Sequence, residues 1–208
     1  MLIDLKASID SFNMTIRGVV HVGAHYGQEY EEYRKNGIND IIFIEPCDAA
    51  FKTLQAKMIH DPNVILFQCA CGEKEGHEDM YVSPGNQGQS NSLLRPKIHQ
   101  QYYPDIPFRE DWREKVAVRR LDDLPFTRQR YNLLMMDTQG AEMMVLKGAA
   151  DTLPHLDYIY TEVNSQELYE GNAMVTELDD FLRRCGFERK ATHWVGTQGW
   201  GDAIYIRV

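Results

Sequence analysis

Two groups of residues in this 208-residue chain have the types and spacing for chemistry. In the first, the apolar run Gly18-Val-Val-His-Val22 stops at Gly23, Ala24 and Gly27. Glycine at such a turn leaves backbone N–H groups bare and lets a ligand approach the chain. Further on, Ile41-Ile-Phe-Ile44 stops at Glu45 and Pro46. A carboxylate at the tip of a second strand is placed to accept hydrogen bonds from both hydroxyls of a ribose. The pair points to an adenosine-containing cofactor. Backbone at Gly23, Ala24 and Gly27 would hold it, with Glu45 on the ribose and Cys69-Ala70-Cys71 flanking the base. Read separately, the glycines also suit an ordinary tight turn, and Glu45 a helix-capping acid. In the second group, Asp137 follows Leu133-Leu-Met-Met136, and Glu162 and Asn164 end Tyr158–Val163. Oxygens at strand tips suit a general base, an orienter of the cofactor or the ligands of a divalent cation. Glu142 either points back at this site or pairs with a neighbouring cation. His25, inside the glycine turn, is the imidazole best placed to act as a base, or else a polar loop residue. His77, His99, His155 and His193 have no partner pattern and read as surface.

These residues need elements to carry them. Strands are expected at 18–23, 41–45, 64–70, 131–136 and 158–163, and helices at 28–36, 47–59, 140–149 and 173–185. Continuous apolar strands alternating with helices predict a parallel sheet covered on both faces. The tail breaks the rhythm: 187–194 and 203–208 read as two strands with no helix between, hence antiparallel. The fold class is therefore α/β and Rossmann-like, with a doubly wound, seven-stranded, mostly parallel sheet. Its antiparallel C-terminal hairpin is the layout of class I methyltransferases. A nicotinamide-dependent oxidoreductase on a related fold is the alternative. However, Gly-x-Gly-x-x-Gly would be expected there, and His25 stands at the middle glycine position. A non-catalytic binding module is the third reading. Residues 1–208 read as one domain. Its irregular segment, 73–125, lies where it can cover the substrate side, with possible added strands at 80–82 and 115–120. Short polar side chains on that cover, Ser90, Asn91 and Ser92, suit a hydroxylated acceptor. Tyr102, Tyr103, Trp112, Trp194 and Trp200 are candidates to stack on one.

Composition narrows the partners. Hydrophobic residues at 43% and charged residues at 25% are ordinary globular values. A net charge of −9 disfavours a nucleic-acid backbone as partner. The basic residues Arg113, Lys115, Arg119, Arg120, Arg128 and Arg130 read as a solvated face. No apolar run approaches the roughly 20 residues that span a bilayer. The N-terminus lacks the order of a signal peptide. Cys47, Cys69, Cys71 and Cys185 match neither a zinc site nor a disulfide framework, and a cytoplasmic location with reduced thiols is expected. The sequence leaves the oligomeric state open.

Several motifs in order resemble the FkbM family of S-adenosylmethionine-dependent methyltransferases. They are Val22-Gly-Ala-His-Tyr-Gly-Gln-Glu29, Phe43-Ile-Glu-Pro46, Ser90-Asn-Ser-Leu-Leu94 and Arg120-Leu-Asp-Asp-Leu124. The most specific is Met136-Asp-Thr-Gln-Gly-Ala-Glu-Met-Met-Val-Leu-Lys-Gly-Ala149, followed by Tyr160-Thr-Glu-Val-Asn164. The resemblance covers about residues 18–208 and implies methyl transfer to oxygen, on a sugar, a glycan or a small hydroxylated metabolite. The candidate cofactor contacts are then His21, Gly23, Ala24, His25, Gly27, Glu45, Pro46, Cys69, Ala70, Cys71, Asp137 and Gln139. For such a reaction the candidate catalytic residues are Asp137, His25 and Glu162, and the candidate acceptor contacts Ser90, Asn91, Ser92, Glu142 and Asn164. Asp137, Glu162 and Asn164 are the ligands if a divalent metal takes part. One departure stands out. The family often has an acid where this chain has His21, at the position of the usual contact to the methionyl amine.

Overall fold

Apolar runs that a helix must bury from both sides become the parallel strands of this molecule. The computed structural model describes residues 1–109 and 111–208. In chain order, α1 (Leu5–Phe12) precedes β1 (Gly18–Val22), α2 (Tyr30–Lys35), β2 (Asp40–Ile44) and α3 (Asp48–Met58). Then come β3 (Val64–Phe67), β4 (Ala70–Cys71), β5 (Gly76–Tyr81), α4 (His99–Tyr102) and β6 (Arg113–Arg119). The second half runs β7 (Leu133–Met136), α5 (Glu142–Lys147), β8 (Tyr158–Asn164), α6 (Val175–Arg184), β9 (Phe187–Trp194) and β10 (Trp200–Arg207).

A seven-stranded sheet has the order β3-β2-β1-β7-β8-β10-β9. β1 is parallel to both β2 and β7, and β10 is antiparallel to both β8 and β9. Side chains alternate across the sheet, so β1 gives Val20 and Val22 to one apolar layer and Val19 to the other. The chain winds outward from β1 in one direction and from β7 in the other. The crevice at their carboxyl ends is where such sheets bind ligands.

The expected strand at 64–70 is two elements. β3 ends at Phe67, and Ala70 and Cys71 leave the main sheet to pair with Val118 and Arg119 of β6. β5 also pairs with β6, so the segment expected to be irregular contains a second, three-stranded sheet. Local composition could not show this, because β4 is only two residues long and its partner lies far along the chain. α2 starts at Tyr30, after the turns that end the glycine segment. The final strand starts at Trp200 rather than 203. α1 was not expected from the sequence. Asp4 Oδ1 accepts the Ala7 amide at 2.7 Å as its N-cap, and Leu5 joins the apolar layer with Val19.

The Arg120-Leu-Asp-Asp-Leu124 motif is structural. Buried Asp122 accepts hydrogen bonds from the Thr152 amide and hydroxyl at 2.9 and 2.8 Å, and from the Asp151 amide at 3.1 Å. It thereby fastens the exit of the second sheet to the turn after α5. The neighbouring basic residues are largely paired: Arg119 with Glu75, Arg120 with Asp122 and Arg130 with Asp40. Leaving a buried amide without an acceptor costs about 1–3 kcal/mol, so Asp122→Ala is expected to lower stability by about 2–4 kcal/mol in urea unfolding.

Candidate functional site

The carboxyl ends of β1, β2, β7 and β8 open into a cavity of about 400 Å³. Its geometry begins at Gly23. A Cβ there would lie 1.9 Å from the carbonyl oxygen of Asp137, so only glycine lets β1 and β7 leave the sheet side by side. Gly23 and Ala24 both donate to the Ile44 carbonyl, at 3.0 and 3.1 Å, and Gly27 to the Ala24 carbonyl at 2.7 Å, so the amides expected to stand bare are paired. The turn continues through left-handed backbone at His25 (φ +47°) and Gly27 (φ +64°). The Glu45 carboxylate completes it, accepting the His25 amide at 2.8 Å and the Cys47 amide at 2.9 Å. Burial raises the Glu45 carboxyl above its ordinary range, and those two amides pull it back.

His21, Gly23, Ala24, Glu45, Pro46 and the Cys69–Cys71 segment all line this half of the cavity. Gly27 does not; it packs on Leu54 and Met58 and shapes the turn. His21 is buried beside Tyr33 and Phe43, and burial lowers it to about 4, so it is a neutral imidazole at physiological pH. His25 lines the cavity with both ring nitrogens engaged, Nε2 by the Gln87 carbonyl at 2.9 Å and Nδ1 by the Gln28 amide at 2.9 Å. The ring joins the glycine turn to the cover and has no free nitrogen for a proton in this arrangement.

Across the cavity, Asp137 and Glu162 share one amide. Gln139 Nε2 donates to Asp137 Oδ1 at 2.6 Å and to Glu162 Oε2 at 3.0 Å, while Tyr169 donates to Gln139 Oε1 at 3.0 Å. Gln139 reaches both acids from left-handed backbone, φ +52°. Asp137 is open to the cavity but ringed by protein. That poorly hydrated setting pushes it up to about 6, against the pull of the Gln139 amide. Glu162 is buried and raised further, first by desolvation and then by Glu142, Asp137 and Asp202.

The remaining candidates divide. Ser90 and Asn91 line the cavity. Ser92 does not; its hydroxyl donates to the Gln139 carbonyl at 2.7 Å and ties the cover to the turn after β7. Glu142 turns away, with Oε1 accepting the Thr138 and Gly140 amides at 3.1 and 3.2 Å. Burial raises it to about 7. Asn164 sits behind Glu162, 3.4 Å from its Oε1. Among the described residues no group of three or more His, Cys, Asp or Glu side chains could hold a metal ion. The position between Asp137 and Glu162 is filled by the Gln139 amide. Tyr103 and Trp200 line the cavity; Trp112 and Trp194 do not. The expectation that His99 lies on the surface is wrong. It is 3% exposed and lines the cavity from α4. A lone histidine in an irregular stretch carried no signal of that.

A methyltransferase FkbM domain model matches residues 21–189. The chain belongs to that family. A relative is the 2-O-methyltransferase NoeI of Sinorhizobium fredii, 35% identical over 189 residues, 87% of this chain and 76% of NoeI. Solved structures share the fold at low identity. Sp1610 of Streptococcus pneumoniae, a candidate tRNA (m1A22) methyltransferase solved with S-adenosyl-L-methionine, has a TM-score of 0.53 at 10% identity, over 100% of this chain and 73% of its own. Magnesium protoporphyrin IX methyltransferase (ChlM) of Synechocystis PCC 6803, with bound SAM, has a TM-score of 0.53 at 8% identity, over 98% of this chain and 76% of its own. The FkbM domain here is thus a Rossmann-like methyltransferase. Because the fold is shared with a candidate RNA enzyme, it does not by itself rule out nucleic acid, as net charge alone had suggested. Among the described residues no helix is long and apolar enough to cross a membrane.

Asp137 has a linkage signature. Its folded pKa, about 6, lies above the ordinary 3.8. Folding is unpenalised while the group is protonated in both states, below about pH 4. It is opposed once the group must ionise in the folded state, above about pH 6. Asp137→Asn is therefore expected to raise Tm at pH 7–8 and leave it unchanged at pH 4, as read by scanning calorimetry at both values.

Proposed function

We propose that this chain transfers a methyl group from S-adenosylmethionine to a hydroxyl oxygen of a sugar or glycan. The observation that carries the reading is the Glu45 carboxylate. It is fixed by two backbone amides at the tip of β2 and opens into the same cavity as the turn at Gly23. The residues present fit that cofactor. The turn at Gly23 and Ala24 lines the cavity beside Glu45, and the carboxylate can accept from ribose hydroxyls through its remaining lone pairs. Glu29, Glu45, Asp137 and Glu162 line the cavity, which suits a cationic sulfonium. When bound, the cofactor supplies an electrophilic methyl group on sulfur.

The protein's part is to align the acceptor oxygen and take its proton. Asp137 is suited to that task. Its pKa of about 6 leaves it mostly ionised yet still basic at neutral pH, and the Gln139 amide holds its orientation. Glu162, whose carboxyl burial raises well above its usual range, shares that amide beside it. The Cys47, Cys69, Cys71 and Cys185 thiols are free, which fits a cytoplasmic setting. NoeI, a 2-O-methyltransferase, supports an oxygen acceptor. A nicotinamide reading is not favoured, because β10 runs antiparallel between β8 and β9.

Calorimetric titration with S-adenosylmethionine tests the cofactor half. Wild type is expected to bind, and Glu45→Gln to bind about 10- to 100-fold more weakly, as for loss of a charged hydrogen-bond acceptor. Heat with NADH and none with S-adenosylmethionine would overturn the proposal. For the chemical half, Asp137→Asn is expected to lower kcat by about 10²- to 10⁴-fold and to weaken cofactor binding far less. An unchanged kcat removes Asp137 as the base.

A further inference from the structure

The half of the cavity beneath the cover has a chemistry of its own. α4 places His99 against Leu168, whose carbonyl accepts the His99 amide at 3.2 Å. Three aromatic rings hold the imidazole: Tyr103 at 5.0 Å, Tyr169 at 5.4 Å and Phe108 at 5.5 Å between centroids. Nδ1 is buried without a hydrogen-bond partner. His99 lines the cavity and its Nε2 is not among the buried atoms that lack a partner, so Nε2 is the ring nitrogen we assign to the cavity wall.

The missing partner determines the tautomer. Burial lowers His99 to about 4, so the ring is neutral and carries one proton. An orphaned N–H is rarer in folded proteins than an under-satisfied acceptor. The proton therefore belongs on Nε2, and His99 presents a donor to the cavity. A group so reluctant to protonate is a poor base and a good fixed donor. Beside it, Trp200 Nε1 donates to the Tyr103 hydroxyl at 2.6 Å, and that hydroxyl also contacts Gln198. Both aromatic side chains are thus held in place by hydrogen bonds at the cavity wall. Such walls suit the C–H faces of a saturated ring, whose edges carry the oxygens.

Charge adds a constraint. Four acidic side chains line the cavity, and among the described residues no lysine or arginine does. The N-terminal ammonium of Met1 lies 3.9 Å from Glu29, which offsets that acid, so a phosphate or carboxylate on the acceptor would meet the remaining acids with no lysine or arginine to pair with, and repulsion in a poorly hydrated site is costly.

We propose that the acceptor is an uncharged polyhydroxy ring, and that His99 positions it by donating an Nε2–H hydrogen bond to one of its oxygens from the cover side of the cavity. This rests on the methyl-transfer reading above and adds the acceptor's charge class and a positioning residue. It also disfavours acceptors presented on a phosphate backbone.

Saturation-transfer NMR tests it, on protein loaded with S-adenosylhomocysteine and with two sets of probes, neutral methyl hexopyranosides and hexose 6-phosphates. In wild type, transfer is expected to at least one neutral glycoside and to none of the phosphates. A glutamine amide can stand in for Nε2–H, and an asparagine amide falls short of it. His99→Gln is therefore expected to keep the signal, while His99→Asn and His99→Phe weaken glycoside binding about tenfold or more. Calorimetric titration with S-adenosylhomocysteine on every variant checks that the cofactor half is intact. No transfer to any neutral glycoside, equal transfer to the phosphates, or unchanged binding in His99→Asn and His99→Phe would each overturn the proposal. Loss of signal in His99→Gln as large as in His99→Phe would do the same. Absence of cofactor binding in wild type is a separate failure and belongs to the methyl-transfer reading.

Discussion

The site depends on a hydrogen atom at position 23 where every other residue type has a carbon. β1 and β7 run side by side in register to Val22 and Met136, and the Asp137 amide still donates to the Val22 carbonyl at 3.0 Å. A side chain on residue 23 would collide with the Asp137 backbone. With glycine there, the two chains leave the sheet in contact, and their polar ends share one crevice. The turn then has to proceed through left-handed backbone, and the Glu45 carboxylate holds it there by accepting the His25 amide. Three strand tips far apart in the chain are thereby locked into one arrangement.

The crevice concentrates negative charge where water is scarce. Asp137 and Glu162 stand close enough to share the Gln139 amide, and the Asp137 charge adds to the burial that raises Glu162. Such a pair is a cost to the folded state and a benefit to a site that must remove a proton and hold a cation. Gln139 also joins this pair to the cover. Its carbonyl takes the Ser92 hydroxyl and its side chain takes the Tyr169 hydroxyl. On the other flank, the His25 ring bonds the Gln87 carbonyl. The cover is therefore attached to the same two turns that hold the polar groups, so the two halves of the cavity are coupled through hydrogen bonds.

Some of this was legible in the chain. The largely apolar runs before Gly23, Glu45 and Asp137 say that strands end there, since a strand buried on both faces reads as a near-continuous apolar run. The helix-free interval between 187 and 207 says that the last two strands are antiparallel. The cover was harder to read. Its sheet joins β4 to β6 across some forty residues of chain, and pairing over such a separation leaves no local pattern. Ser92 and Glu142 were legible as polar residues near the site, but not as struts. Both bond to the turn after Asp137, and a side chain's direction depends on contacts that spacing does not encode.

By itself, then, the sequence determined the strand tips, their polar residues and the reversal of the last strand, because each follows from local apolar pattern and connection length. Only the tertiary structure decided which polar groups face the cavity and in what protonation state. His25 became a latch with both nitrogens engaged, His99 a buried donor, and Asp137 and Glu162 a pair joined by an amide. Proton affinity and hydrogen-bond role are set by burial and by neighbours brought from elsewhere in the chain, and those exist only after folding.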